Sequence, residues 1–137
     1  MNKKKLNYLI LGLYLISLFT KSFTGGGGVH GILTLIYGGF SILIGNLFAF
    51  GAWSANILFF ISLIRKIKLK TKLILSGIAV LLGTLALFVT ELPMHMGSST
   101  SFVKIGIGFY FWIGSFILLF MKNLMEYFKL NKEHQST

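Results

Sequence analysis

"ILTLIYGGFSILIGNLFAFGAWSANILFFISLI", Ile32 to Ile64, carries no charged residue. A helix that crosses the ~30 Å hydrocarbon core of a bilayer needs about 20 predominantly apolar residues. The run is too long for one straight crossing, and two crossings would leave almost nothing for a turn. Whether it counts once or twice decides the fold.

Charge supplies the answer. The run is followed by "RKIKLKTK", Arg65 to Lys72, and three more apolar stretches lie around it: Leu6–Phe23, Leu73–Thr90 and Phe102–Met121. Cytoplasmic loops of membrane proteins carry the excess of lysine and arginine. If the run crosses once, Lys3–Lys5, the Arg65–Lys72 cluster, Lys122, Lys129 and Lys132 share one side. That is all but two of the 13 basic residues, with Lys21 and Lys104 opposite. Two crossings would put the central cluster outside and erase the bias.

The expected fold is therefore an all-α integral membrane protein, a four-transmembrane-helix bundle of one membrane domain. Both termini lie in the cytoplasm (N-in, C-in), and the style of the chain suggests a bacterial inner membrane. The spans fall at about 6–23, 40–64, 73–91 and 102–121. Outer loops cover 24–39 and 92–101, a basic inner loop 65–72, and a cytoplasmic tail 122–137. Residues 32–39 are expected at the outer interface or as an extension of a tilted second span. Lys3–Lys5 with Leu6–Phe19 also has the make-up of a signal peptide, but no small-x-small cleavage site stands clearly before Lys21.

Composition points the same way. The chain of 137 residues is 55% hydrophobic and 12% charged, against about 25% charged in an ordinary soluble domain. Small soluble domains leave too much surface exposed to hide that much apolar area. The net charge of +10 sits in clusters between apolar runs, not as a patch on a soluble fold, so nucleic acid is not an expected partner. The absence of cysteine excludes disulfides, thiolate metal sites and thiol nucleophiles.

Helices in lipid associate through small residues and polar contacts, because lipid tails are as apolar as leucine. Gly38, Ser41, Gly45, Ala49, Ala52 and Asn56 recur at offsets of three and four and are expected to face inward, with Asn46, Trp53 and Asn56 beside them. Gly77, Thr84 and Glu91 form a stripe in the third span. Gly106, Tyr110 and Gly114, and next to them Gly108, Trp112 and Ser115, do so in the fourth. An unsatisfied amide in hydrocarbon costs several kcal/mol, so Asn46 and Asn56 need partners such as Thr84 or Tyr110. Asn46, Trp53, Asn56, Thr84, Glu91, Tyr110 and Trp112 are thus the candidate intramembrane site. They read first as contacts between helices and second as the lining of a polar cavity.

Two loops hold the remaining chemistry. "TGGGGVHG", Thr24 to Gly31, lacks the GxxxxGK[ST] of a phosphate-gripping loop and reads as a tight bend, or more weakly as a nest of amides for a lipid headgroup. "TELPMHMGSSTS", Thr90 to Ser101, supplies Met94, His95 and Met96 on the side of the membrane where His30 also stands. Thioether and imidazole suit Cu(I), with Glu91 as an orienting partner. Apart from copper no cofactor is expected. No nucleophile, base and orienting group stand together, so an enzyme is not expected.

The function these observations favour is a small non-catalytic membrane protein that binds a lipid or another membrane protein within the bilayer, such as an accessory subunit or a bacteriocin-immunity-type protector. One alternative is an oligomeric small-solute transporter or channel whose path runs along Asn46, Asn56, Thr84 and Tyr110. The other is an outer-face copper-handling protein built on His30, His95, Met94 and Met96.

Overall fold

The computed structural model describes residues 3–25, 28–93 and 100–135. They are mostly helical: α1 (Lys3–Phe19), α2 (Gly31–Gly38), α3 (Leu47–Leu63), α4 (Leu69–Thr84) and α5 (Ile107–Gln135). Two 3-10 segments, Gly39–Ile44 and Leu85–Phe88, extend α2 and α4. Two helical stretches are long and apolar enough to cross a membrane, Leu69–Phe88 and Ile107–Lys132.

α3 packs on α4, α4 on α5 and α5 on α1, while the backbones of α1 and α3 stay farther apart. α2 and its 3-10 extension occupy that gap at one end of the bundle. This end also carries the strands, so it is called the strand end; the opposite one, with the Arg65–Lys72 turn, is the basic end.

Short strands tie the connections together at the strand end. β1 (Lys21–Thr24) lies between β2 (Val29–His30) and β5 (Lys104–Ile105), both antiparallel, with Phe23 opposite Val29 and Ile105. β3 (Glu91–Pro93) pairs with β4 (Thr100–Phe102), Glu91 opposite Phe102. The sequence reading carries no strands here. They form because these backbone groups sit beside a packed apolar core, where unpaired N–H and C=O groups are costly.

The decisive uncharged run is not one helix. It bends at Gly45, whose φ of 75° and ψ of 9° lie in the left-handed region that favours glycine. Gly45 N–H reaches Ile42 O at 3.1 Å and Asn46 N–H reaches Ser41 O at 3.0 Å, closing the 3-10 segment. Asn46 then caps α3: its Oδ1 accepts from Ala49 N–H at 2.9 Å, a typical N-cap arrangement. The long helix therefore begins at Leu47 and not at Phe40. The expected stripe from Gly38 to Asn56 is split between two segments running in different directions.

Most buried positions are small or aromatic, with a few aliphatic side chains among them. One cluster gathers Ile10, Tyr14, Ala55, Phe59, Ala79, Phe116 and Leu119; a second, toward the strand end, gathers Phe23, Ala52, Ala86, Val89, Val103 and Phe109. Tyr14, Phe59 and Phe116 stack, with Phe59 and Phe116 centroids 4.7 Å apart. In α4 the fully buried positions are Ser76, Ala79 and Gly83, while Gly77, against Phe120 of α5, and Thr84 are half-buried. Gly31 meets the carbonyl oxygen of Ser17 so closely that no side chain fits, which holds the start of α2 against the end of α1.

Candidate functional site

Between α1 and α3, roofed by α2 and the Gly39–Ile44 segment, lies a cavity of about 850 Å³. Its floor is a polar trio from three helices. Asn56 of α3, only 7% exposed, accepts at Oδ1 from Trp112 Nε1 of α5 at 2.8 Å and from Tyr14 Oη of α1 at 2.9 Å. Its Nδ2 donates to Trp53 O at 2.8 Å.

The direction of these bonds follows from chemistry. An indole N–H can only donate, so the atom facing Trp112 must be the amide oxygen of Asn56. The tyrosine hydroxyl must then donate to that same oxygen, and among the described residues no donor reaches the lone pairs of Tyr14 Oη. Asn56 thereby satisfies its carbonyl fully. The aromatic stack of Tyr14, Phe59 and Phe116 closes the floor from below, with Trp112 4.7 Å from Phe116.

The roof is held by Trp53. Its Nε1 donates to Leu35 O of α2 at 2.8 Å. Its ring lies on the backbone of Gly38 and Gly39, so near that a Cβ at Gly38 would sit 2.7 Å from Trp53 Cδ1. Trp53 thus fastens α2 to α3 across the cavity wall. The side walls are mainly apolar, including Leu33, Phe40, Ile44, Ala52 and Phe109. Every described residue that lines the cavity is uncharged.

The structure brings together Trp53, Asn56 and Trp112 from the sequence candidates, and Asn46 lines the same cavity. Asn46 acts there as the cap of α3, not as a bond between long helices. Thr84 turns back onto its own helix, with Oγ1 donating to Leu81 O at 2.7 Å. Tyr110 is 61% exposed and meets Phe109 edge-on. Glu91 is exposed on β3. Thr84, Tyr110 and Glu91 take no part in the cavity. His30 is exposed, its Nδ1 3.1 Å from Phe19 O, while Met94, His95 and Met96 lie outside the described residues. Among the described residues no three histidine, aspartate or glutamate side chains gather as metal ligands.

Two buried polar residues stand outside the sequence candidates, Tyr14 in the cavity floor and Asn123 away from the cavity. Tyr14 sits in an apolar helix, and the signal for it is its spacing with Ser17, which shares its inward face. Asn123 of α5, 1% exposed, donates to Ser76 Oγ of α4 at 3.1 Å near the basic end. Asn123 follows Lys122, beyond the apolar stretch, so the hydropathy pattern does not single it out.

No protein family, curated protein or solved structure matches this chain.

Proposed function

We propose that this chain is a non-catalytic integral membrane protein that holds a lipid-like ligand in the cavity between α1 and α3. In this reading α1, α3, α4 and α5 all cross the bilayer of a bacterial inner membrane. The basic end, with both termini, faces the cytoplasm, and the strand end faces out. The distribution of side chains supports the membrane assignment. Large apolar residues such as Leu43, Leu47, Leu81 and Phe88 are exposed, whereas Ser17, Ser62, Ser76, Ser115 and Asn123 are buried. A water-soluble fold would place these sets the other way round.

The observation that carries the ligand assignment is the cavity itself. At about 850 Å³ it falls within the roughly 300–1,000 Å³ of small-molecule sites, and it has their composition: apolar walls with a few placed polar groups. The transport path expected along Asn46, Asn56, Thr84 and Tyr110 has less support, because Thr84 and Tyr110 lie away from the cavity.

The test is native mass spectrometry of the protein released from mild detergent. Wild type is expected to retain the added mass of a lipid, and Ala49→Leu with Ala52→Leu, which fill the cavity, to lose it. A bare wild-type mass would overturn the ligand assignment, as would an adduct that survives filling. An adduct the size of a second polypeptide would replace it with a protein partner or a homo-oligomer.

A further inference from the structure

We infer that the cavity selects an uncharged lipid with a free hydroxyl, of the diacylglycerol or long-chain alcohol class, in preference to an anionic phospholipid. This rests on the reading of the cavity as a lipid site and adds the chemistry of the headgroup.

Charge is the first argument. Among the described residues no lysine, arginine, aspartate or glutamate lines the cavity. A buried phosphate or carboxylate would find no counter-ion there, and burying an unpaired charge is far more costly than burying a hydrogen-bonded polar group. The basic residues that would attract anionic headgroups stand mostly at the other end of the molecule.

Polarity is the second. Most donors around the cavity are committed to the protein, Ser22, Tyr37 and the Asn46 amide nitrogen being the exceptions among the lining residues. Ser17 Oγ donates to Tyr14 O, Ser41 Oγ to Gly38 O and Thr34 Oγ1 to His30 O. Trp53 and Trp112 donate to Leu35 O and Asn56 Oδ1, and Tyr14 Oη donates to the same Asn56 oxygen. A hydroxyl that has donated still has lone pairs to offer. Tyr14, Ser17, Ser41 and Thr34 therefore present acceptors, and the partner that matches acceptors without carrying charge is a hydroxyl that donates. Volume is the third: the cavity holds a hydrocarbon tail as well as the head. Tyr14 Oη, on the floor beside Asn56, is the acceptor assigned to the ligand hydroxyl.

The experiment uses the chain's own reporters, since both of its tryptophans line the cavity. The full-length protein is reconstituted in phosphatidylcholine vesicles. Three bromine-labelled probes are added in turn: a diacylglycerol, its acetylated form with the hydroxyl blocked, and a phosphatidic acid with the same tails. Tryptophan quenching is read for wild type, for the filled variant Ala49→Leu/Ala52→Leu as the bulk-lipid baseline, and for Tyr14→Phe.

Above that baseline, diacylglycerol is expected to half-quench at a mole fraction at least about tenfold lower than either competitor. Tyr14→Phe should shrink this preference by about five- to tenfold, the loss of one hydrogen bond. Asn56 keeps its bond from Trp112 in that variant, so the fold is retained. Equal quenching by all three probes, or stronger quenching by phosphatidic acid, would overturn the headgroup inference and leave the cavity site standing. A preference untouched by Tyr14→Phe would overturn the assignment of the acceptor. Quenching in wild type no greater than in the filled variant, for every probe, would overturn the lipid site itself.

Discussion

Trp112 Nε1 and Asn56 Oδ1 lie 2.8 Å apart, α5 to α3, and this contact orients the whole floor of the cavity. The indole can only donate, so it fixes which way the Asn56 amide points. That in turn decides that Tyr14 donates and that Trp53 O accepts. One rigid aromatic thereby sets the polarity of a site built from three helices.

Asn56→Leu should destabilise the protein by about 2 kcal/mol, because it orphans two buried donors at once. The figure is kept low because polar bonds between helices in bilayers average under ~1 kcal/mol each. Tyr14→Phe should cost about 1 kcal/mol or less, since Asn56 retains Trp112. Thermal unfolding in detergent measures both. Equal losses for the two variants would mean that Asn56 is not the hub.

Gly45 and Asn46 should behave as a turn and a cap. Gly45→Val puts a branched side chain at φ 75° and should cost about 1–2 kcal/mol or more. Asn46→Ala should cost about 1 kcal/mol, and Asn46→Ser should recover most of it, as N-caps do. If Asn46 instead bonded between long helices, serine would be too short to rescue. The comparison is made by chemical or thermal unfolding of the two variants side by side.

Two glycines should differ sharply when replaced by alanine. A Cβ at Gly31 would meet the backbone of Ser17 and Leu18, which cannot move aside without parting α2 from α1. Gly31→Ala should therefore cost more than about 2 kcal/mol. Gly114 has nothing within 4 Å of such a Cβ, so Gly114→Ala should be neutral or stabilise α5 by about 0.5–1 kcal/mol. Melting temperatures that fall alike would contradict the packing of α2 on α1.

Gly38→Ala should loosen the roof. The added methyl meets Trp53 at 2.7 Å, so the indole must shift and weaken its bond to Leu35 O. Hydrogen exchange in α2 should rise while exchange in α4 stays constant. Protection unchanged in α2 would show that Trp53 does not hold it.

The cysteine-free chain allows a direct test of orientation. Thr24 and Thr71 are both exposed, at the strand end and the basic end. With an impermeant maleimide, Thr24→Cys should label on intact cells and Thr71→Cys only after permeabilisation. Labelling of both from one side would refute the proposed crossing pattern.

The break inside Ile32–Ile64 was partly legible. Gly45–Asn46 is a stop followed by a start: a residue free to adopt positive φ, then a good N-cap. A continuous apolar run masks such punctuation, because charge and hydropathy register only that the segment is apolar. The fully buried face of α4 is hard to read from the sequence for a related reason. Ser76 and Gly83 lie one position before Gly77 and Thr84, and beyond Lys72 the helix has no polar face to mark the difference.

What the amino-acid sequence determined by itself is the class of the molecule: mostly helical, too apolar for an ordinary soluble domain, with its basic residues gathered between apolar runs. Those are properties of composition and order, and they need no contact between distant residues. What only the tertiary structure decided is the site. Tyr14, Asn56 and Trp112 belong to three helices far apart in the chain, and the cavity exists because α1 and α3 stand apart while α2 folds over the space between them. Long-range packing chose which of many equivalent apolar faces turned inward, and the hydrogen bonds of Asn56 became available only once it had done so.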